Sequence, residues 1–396
     1  NFDNLDFTWR ITGDDRTISS GRLTSLNLNP QESKEIFFNT SNIVQRAGVR
    51  YFLTVEAKTR NSKPLVPKKH LVAWEQFELP LYVPLSKKET NAQFNLVSQE
   101  NDRLIEIKSN DVHIVFNKET GFLESYEVGL VKYLKQPIVS NFWRAPNDND
   151  LGNGMPKRTG IWKDAGKRMQ LKDIAVSEIK NSVQVSTIHF DSLSSTTIST
   201  QYKIYNEGAI RLDRKIEILD NTLPEIPRIG VKLSMLGSFN NVTWFGRGPH
   251  ESYWDRKQSA AIGVYSGTVW DQTYQYVRPQ ETGNKTDVFW MAVFNEKRNG
   301  LMAVGLPSFD GSVHRYPYDD LDYYPGAQRH GKLDVVPKDH TDWLIDLKQM
   351  GVGGDNSWGA KPMKKYTIYP GVYNQSMLLI PFTSKADFTK LSKKRF

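Results

Sequence analysis

A chain of 396 residues with a net charge of +8, 12% aromatic residues and no cysteine is long enough for two or three domains and excludes disulfide and thiol chemistry. Its basic residues are spread along the chain apart from the tail "LSKKRF", with no reading motif beside them, so nucleic acid is not an expected partner. No run of about 18 apolar residues is present, and no membrane-spanning helix is expected.

The dominant period is two. Phe7, Trp9 and Ile11 alternate with polar residues before "TGDD" turns the chain, and no leader segment is legible ahead of them. Val49, Tyr51, Leu53, Val55 and Ala57 alternate in "GVRYFLTVEA", whose turn-then-tyrosine opening suits a late strand of a sandwich. Residues 1–90 read as about five short strands of an immunoglobulin-like sandwich that needs about seven. The first one or two are therefore expected to be missing, leaving an open edge or apolar face near Phe7 and Trp9. Residues 80–100, polar with two prolines, read as a linker. Residues 91–396 read as a second, larger antiparallel β sandwich. Ile210, Leu212, Ile216 and Ile218 alternate after the turn "NEG", and similar runs bounded by Gly, Asn, Asp and Pro recur to the end. Only short helical patterns interrupt them, one within 385–395, and no fixed-period repeat suggests a propeller. The fold class is all-β.

Several loops carry chemistry-bearing residues. "NFWRAPNDNDLGNG" (141–154) suggests calcium at first, because its carboxylate and amide oxygens are hard ligands. Counting from Asp148, however, Gly152 and Asn153 fall where a calcium loop needs a ligand and a glycine. An ordered loop is the better reading: Asn147 and its neighbours close turns on their own backbone, and Arg144 pairs with Asp148 or Asp150. In "WFGRGPHESYWDRK" (244–257), Glu251 and Asp255 offer the paired carboxylates of a glycosidase. The preferred reading is an ion-paired loop with Arg247 and Arg256. "YVRPQETGNKTDVFW" (276–290) presents Arg278, Glu281, Asn284 and Asp287 in a turn, and "VHRYPYDDLDYYPGAQRHGKL" (313–333) is dense in Tyr, His and Asp. The seven histidines show no zinc-binding spacing. "MGVGGDNSWG" (350–359) surrounds Trp358 with four glycines. Such a loop either presents the indole to a ligand for stacking or folds it back onto the domain.

These loops, in this order, resemble the C-terminal part of the large β-galactosidases of glycoside hydrolase family 2. "HLVAWEQFEL" (70–79) is similar to the close of the immunoglobulin-like domain that precedes that part. The resemblance covers essentially the whole chain. It implies the last two of the family's five domains: a truncated second immunoglobulin-like domain and a C-terminal sandwich related to galactose mutarotases. It further implies that the parent hydrolyses terminal β-D-galactosides with retention, using two glutamates in a TIM barrel, so that no catalytic residue lies here. By motif, Trp358 is implied to line the galactose pocket. Arg144, Asn147, Asp148, Asp150, Arg247, Glu251, Asp255, Arg256 and Glu281 are implied to be architectural loop residues near its mouth. No metal ligand is implied in this segment, since the family's magnesium and sodium are bound by other domains. The implied partners are the galactoside, the catalytic barrel in the same chain or in a large subunit, and further copies of the parent. Related β-glucuronidases usually lack this last domain. Two alternatives stay open: the small subunit of a two-chain β-galactosidase, and a stand-alone galactose-binding or mutarotase-like protein, which would need a facing His/Glu pair in a groove.

Overall fold

The computed structural model describes residues 2–23, 26–86, 95–322, 335–356 and 359–396. Nearly all of its regular structure is antiparallel strand, and the chain divides into two compact units: residues 1–89 with 393–396, and residues 90–392.

The first unit is a four-stranded sheet of β1 (Leu5–Gly13), β2 (Arg16–Arg22), β3 (Tyr51–Thr59) and β4 (Leu71–Leu79), in the order β2-β1-β3-β4. Tyr51, Phe52 and Leu53 at the start of β3 are buried with Ile11 opposite Leu53. The Tyr51 hydroxyl donates to the Val44 carbonyl (3.2 Å) and accepts from the Arg46 N–H (2.8 Å), the tyrosine corner of immunoglobulin-like sandwiches. The open edge expected at Phe7 and Trp9 is not there. Their strand, β1, is an inner one, and Trp9 packs over Gly21 and edge-on to Phe38. Among the described residues the edge strands of this sheet are β2 and β4, and β4 carries the exposed apolar residues Leu71, Val72 and Phe77.

In the second unit a five-stranded meander comprises β5 (Val97–Glu100), β6 (Leu104–Lys108), β7 (Val112–Asn117), β8 (Leu123–Val128) and β9 (Val131–Lys132). The linker expected over 80–100 therefore ends in a strand. A twelve-stranded sheet follows, made of β10 (Leu134–Asn141), β11 (Gln170–Ile179), β12 (Ser182–Asp191), β13 (Thr196–Ile204), β14 (Ile210–Ile218), β15 (Arg228–Met235), β16 (Asn241–Gly248), β17 (Ala261–Thr268), β18 (Lys285–Phe294), β19 (Gly300–His314), β20 (Thr341–Gln349) and β21 (Gly371–Phe382). Its main path runs β10-β15-β20-β19-β21-β14-β13-β12-β11, with β18, β16 and β17 branching from β19.

Same-facing residues of β14 show how the sheet is covered. Ile210 and Leu212 join the main core with Ile107, Ile114 and Phe116 of the meander. Ile216 and Ile218 join a second core with Phe142, Met155 and Trp162 of the long connection between β10 and β11. Between them sits Arg214, buried, donating to the Gly230 carbonyl (3.1 Å), Gln375 Oε1 (2.8 Å) and Ser140 Oγ (2.6 Å). One strand face thus runs from beneath the meander to beneath the loops that carry the sequence motifs.

Candidate functional site

The four consecutive Asn/Asp residues of the first motif each have a separate task. Asn147 caps the short helix Asp148–Gly152: its side chain accepts from the Asp150 N–H (2.8 Å), while the Asp150 carboxylate accepts from the Asn147 N–H (3.1 Å). Asp148 pairs with Arg278 and accepts from Gln280 Nε2 (3.0 Å). Asn149 donates to the Val352 carbonyl (3.1 Å). Asp150 takes both arms of Arg144, at 3.0 and 2.7 Å, in a pair with 0% exposure on either side. The Arg144 partner is thus Asp150, and Asp148 serves a different loop. Burial opposes the Arg144 charge, but Asp150 outweighs it and holds the guanidinium above its ordinary pKa.

Arg144 also reaches the glycine-rich loop, donating to the carbonyls of Met350 and Gly351 (2.9 Å to the latter). From another side the Asp255 carboxylate accepts from the Val352 N–H (3.0 Å) and the Gly353 N–H (2.9 Å). At the far end of that loop, Gly359 lies so close to Gly152 that a Cβ on it would fall 2.4 Å from the Gly152 carbonyl oxygen. The loop that carries Trp358 is therefore gripped at both ends, and Trp358 itself lies outside the described residues.

The other carboxylates of the motifs are equally engaged. Glu251 accepts from Arg256 (2.9 Å), Thr282 Oγ1 (3.2 Å), the Gly283 N–H (2.8 Å) and the Tyr276 hydroxyl. Asp287, left-handed at φ 52°, takes Arg247 (2.5 Å) and Lys257 (2.9 Å). Glu281 receives Arg228 (2.8 Å) and the Tyr318 hydroxyl, which in turn accepts from the Ala145 N–H (3.0 Å). Glu251 and Asp255 thus meet different partners. Asn284 donates to the Ser252 carbonyl (2.9 Å), tying the second and third motifs together.

Beneath these loops lies a buried charged layer that the motif reading missed. Arg228, between Glu281 and Asp346 (3.2 Å), has 0% side-chain exposure. Burial opposes its charge, and the two carboxylates outweigh burial and hold it protonated. Asp346 is held well above the usual carboxylate range by burial, reinforced by Asp310 and Glu281. Burial and the neighbouring Asp287 push Asp310 up to about 7. A signal for this layer was present in the sequence: Arg228 interrupts the apolar stretch "EIPRIGVKLSM", where a charge inside a buried strand needs partners.

A pH dependence follows from Asp310. Its carboxyl titrates near 4 in an unfolded chain and near 7 when folded. The stability linked to it is fully present below the unfolded value and is lost as pH rises through about 7. Asp310→Asn should flatten the stability profile between those limits by about 3–4 kcal/mol, measured by urea denaturation at a series of pH values. An unchanged slope would assign the titration elsewhere.

The profile of the family described as "Beta galactosidase small chain" matches residues 108–379. The chain belongs to that family. A second profile, "Beta-galactosidase, domain 4", matches residues 1–80. Among curated relatives, a β-galactosidase of Priestia megaterium is 30% identical, over 93% of this chain and 35% of its own length. A β-galactosidase of Pseudoalteromonas haloplanktis is 27% identical, over 95% of this chain and 36% of its own. The chain thus spans about a third of the length of these relatives. Among solved structures, the galactose 1-epimerase of Lactobacillus acidophilus NCFM matches with a TM-score of 0.41 and 8% identity, covering 73% of this chain and 98% of that one. Within this β-galactosidase small-chain region fall all the motif loops from Arg144 to the glycine-rich segment.

Two histidines of this β-galactosidase region bear on the stand-alone alternative. His113 contacts Glu106 at 3.1 Å across the neighbouring strands β6 and β7, and His340 contacts Asp342 at 2.7 Å inside the protein. Among the described residues no group of three or more His, Asp and Glu is placed to hold a metal ion.

Proposed function

We propose that this chain is the non-catalytic C-terminal part of a retaining β-galactosidase and that its second unit shapes the galactose pocket. The observation that carries this reading is the double grip on the glycine-rich loop: Arg144, Asn149 and Asp255 bind residues 350–353, and Gly359 abuts Gly152. A loop of four glycines costs much conformational entropy to order. Fixing both ends of it makes sense when the residue between them must meet a ligand at a set place. In the parent, the Trp358 ring would stack on the apolar face of the galactosyl ring. A glutamate of a separate catalytic barrel would form the galactosyl-enzyme, and a second glutamate would act as acid and then base. The carboxylates in this chain's motif loops are spent on arginines, lysines and backbone N–H groups, which fits an architectural role. The parent's magnesium and sodium would be held by its other domains.

The purified chain is expected not to hydrolyse a chromogenic β-galactoside. Turnover above background, with the host's own enzyme removed, would overturn the reading. In the parent enzyme, Trp358→Ala is expected to weaken substrate binding by about 1–3 kcal/mol, by analogy with ring stacking on aromatic side chains, seen as a rise in KM. Equal stability of this chain with and without the substitution would support the ligand role, whereas a large loss of stability would make the indole a packing residue. The description of the matched profile as a small chain favours a second reading, the small subunit of a two-chain enzyme. Activity regained on mixing this chain with a separately expressed catalytic subunit would support it.

A further inference from the structure

We propose that the loop of residues 272–283 in the second unit is the face on which the catalytic part of the parent enzyme docks, with Tyr274 and Val277 as its apolar contacts. The proposal rests on the reading of this chain as the non-catalytic part of a larger β-galactosidase, and it names the surface through which the two parts meet.

The loop is a compact surface loop whose ends come together and whose own side chains hold it. Gly283 lies so close to Gln272 that a Cβ on it would fall 2.4 Å from the Gln272 carbonyl oxygen. Between those ends the Tyr274 N–H donates to Thr282 Oγ1 (2.8 Å), and the Tyr276 hydroxyl donates to Glu251. Thr273 shares a hydrogen bond with the Tyr316 hydroxyl (3.1 Å). Gln280 Nε2 donates to the Arg278 carbonyl (3.3 Å), and the Arg278 guanidinium pairs with Asp148.

This fastened loop turns two apolar side chains outward. Val277 is 86% exposed and Tyr274 62%. The Tyr274 ring is braced by Tyr276, with centroids 4.6 Å apart. Ordering a loop costs conformational entropy, and side chains left in water return almost no burial for it within this chain. A rigid tyrosine and a valine rimmed by arginines have the composition of a protein interface. Arg278 follows Val277 directly, and Arg256 is tied to the same Glu251 that holds Tyr276.

Two observations select the occupant. The chain spans only 35% and 36% of the length of two curated β-galactosidase relatives, so most of such a protein lies outside it. The loop is also joined to the glycine-rich loop through one short helix. Asp148 of that helix takes Arg278 and Gln280, Asn149 takes the Val352 carbonyl, and Gly152 abuts Gly359. A body seated on Tyr274 and Val277 is thereby coupled to the segment that carries Trp358. For that segment to meet a sugar at two catalytic glutamates, the body seated there must be the one that holds the glutamates. A second copy of this chain would bring none.

The test compares the 396-residue chain with the full-length parent. Nitration by tetranitromethane, read by mass spectrometry, should label Tyr274 in the isolated chain and spare it in the parent. The double variant Tyr274→Ser/Val277→Asp should leave the urea midpoint of the isolated chain unchanged, because both side chains are exposed. In the parent it should lower kcat/KM by about tenfold or more, the size expected for a central interface residue. Val277→Ile should keep parental activity. Leu130→Asp, which charges an equally exposed apolar residue at the turn between β8 and β9, should have no effect in either protein. Equal labelling of Tyr274 in both proteins, or full activity of the double variant while Trp358→Ala still raises KM, would overturn the docking face and leave the reading of the chain intact. Self-association of the isolated chain that the double variant abolishes would overturn the choice of occupant. Hydrolysis of a β-galactoside by the isolated chain would overturn the reading and the docking face together.

Discussion

Replacing Arg144 by alanine is expected to destabilise the second unit by about 3–5 kcal/mol, the range for breaking a buried ion pair by removing one partner. The loss has two parts. Asp150 keeps the backbone N–H of Asn147 but loses both guanidinium arms in a place with no solvent access. The carbonyls of Met350 and Gly351 lose their donor at the same time. Arg144→Lys should recover only a fraction, because an ammonium cannot span a carboxylate and two carbonyls in the fixed fork of a guanidinium. Asp150→Asn made together with Arg144→Ala should cost less than the sum of the two single changes, since each alone strands the other partner. Urea denaturation of the four proteins closes the cycle. A cost below about 1 kcal/mol for Arg144→Ala, the size of an exposed pair, would mean that water replaces the guanidinium and that the loop is not pinned there. In the parent enzyme the same variant should behave like a displaced Trp358, with weaker substrate binding, if the grip on the loop is what positions that ring.

The strands were legible where one face of the sheet is buried and the other is not. Ile210–Ile218 alternates buried and accessible residues along its whole length, and the sequence shows the same alternation except at the buried Arg214. The pattern fails where the sheet is covered on both faces. Thr341–Gln349 is buried at nearly every position, so its two aspartates lie inside and its apolar residues do not alternate. Sheet order was not legible either. β21 lies between β19 and β14, and nothing local in a strand names a neighbour more than 150 residues away. In the first unit the alternation marked β1 correctly as a strand, but it could not say that β2 and β3 flank it on both sides.

For the candidate site, the sequence displayed residue types and withheld partners. Asn147 and Asp150 satisfy each other within one helical turn, so their role follows from spacing alone. The partners of Arg144 at Met350 and Gly351, and of Asp148 at Gln280, are set only by the closure of the sheet. Tyr318 was visible only as one tyrosine among several in 313–333. Its hydroxyl, joining Ala145 to Glu281, is a product of tertiary structure.

Arg228→Met is expected to cost about 3–5 kcal/mol at neutral pH, and less in acid. The guanidinium is the cation closest to Asp346 and Glu281, and the side chains of all three are fully buried. The layer balances charge better than it satisfies hydrogen bonds: among the described residues, Arg228 Nε and Nη1, Glu281 Oε1 and both Asp346 oxygens have no hydrogen-bond partner. Its stability is therefore chiefly electrostatic, and it is exposed to the loss of either sign. Burial, with Asp310 and Glu281, already holds the Asp346 carboxyl well above its usual range, and Arg228 is the strongest influence against that rise. Without Arg228 the folded-state pKa of Asp346 climbs further from its unfolded value near 4. A carboxyl raised in this way binds its proton more tightly in the folded state, so its contribution is fully present below pH 4 and is lost as pH rises. The deficit of Arg228→Met relative to the parent sequence should accordingly be smallest in acid and should widen once pH rises past the raised folded-state pKa of Asp346. Asp346→Asn in the same chain should remove most of that widening, and Gly230 already leaves room for a side chain of this size, since the carboxylate packs directly over its Cα. A deficit that stays constant with pH would point to a different cause: Arg228 also lies 5.2 Å from the Tyr318 ring centroid, and a flat profile would make packing on that ring, not charge, the reason an arginine stands in the middle of the sheet.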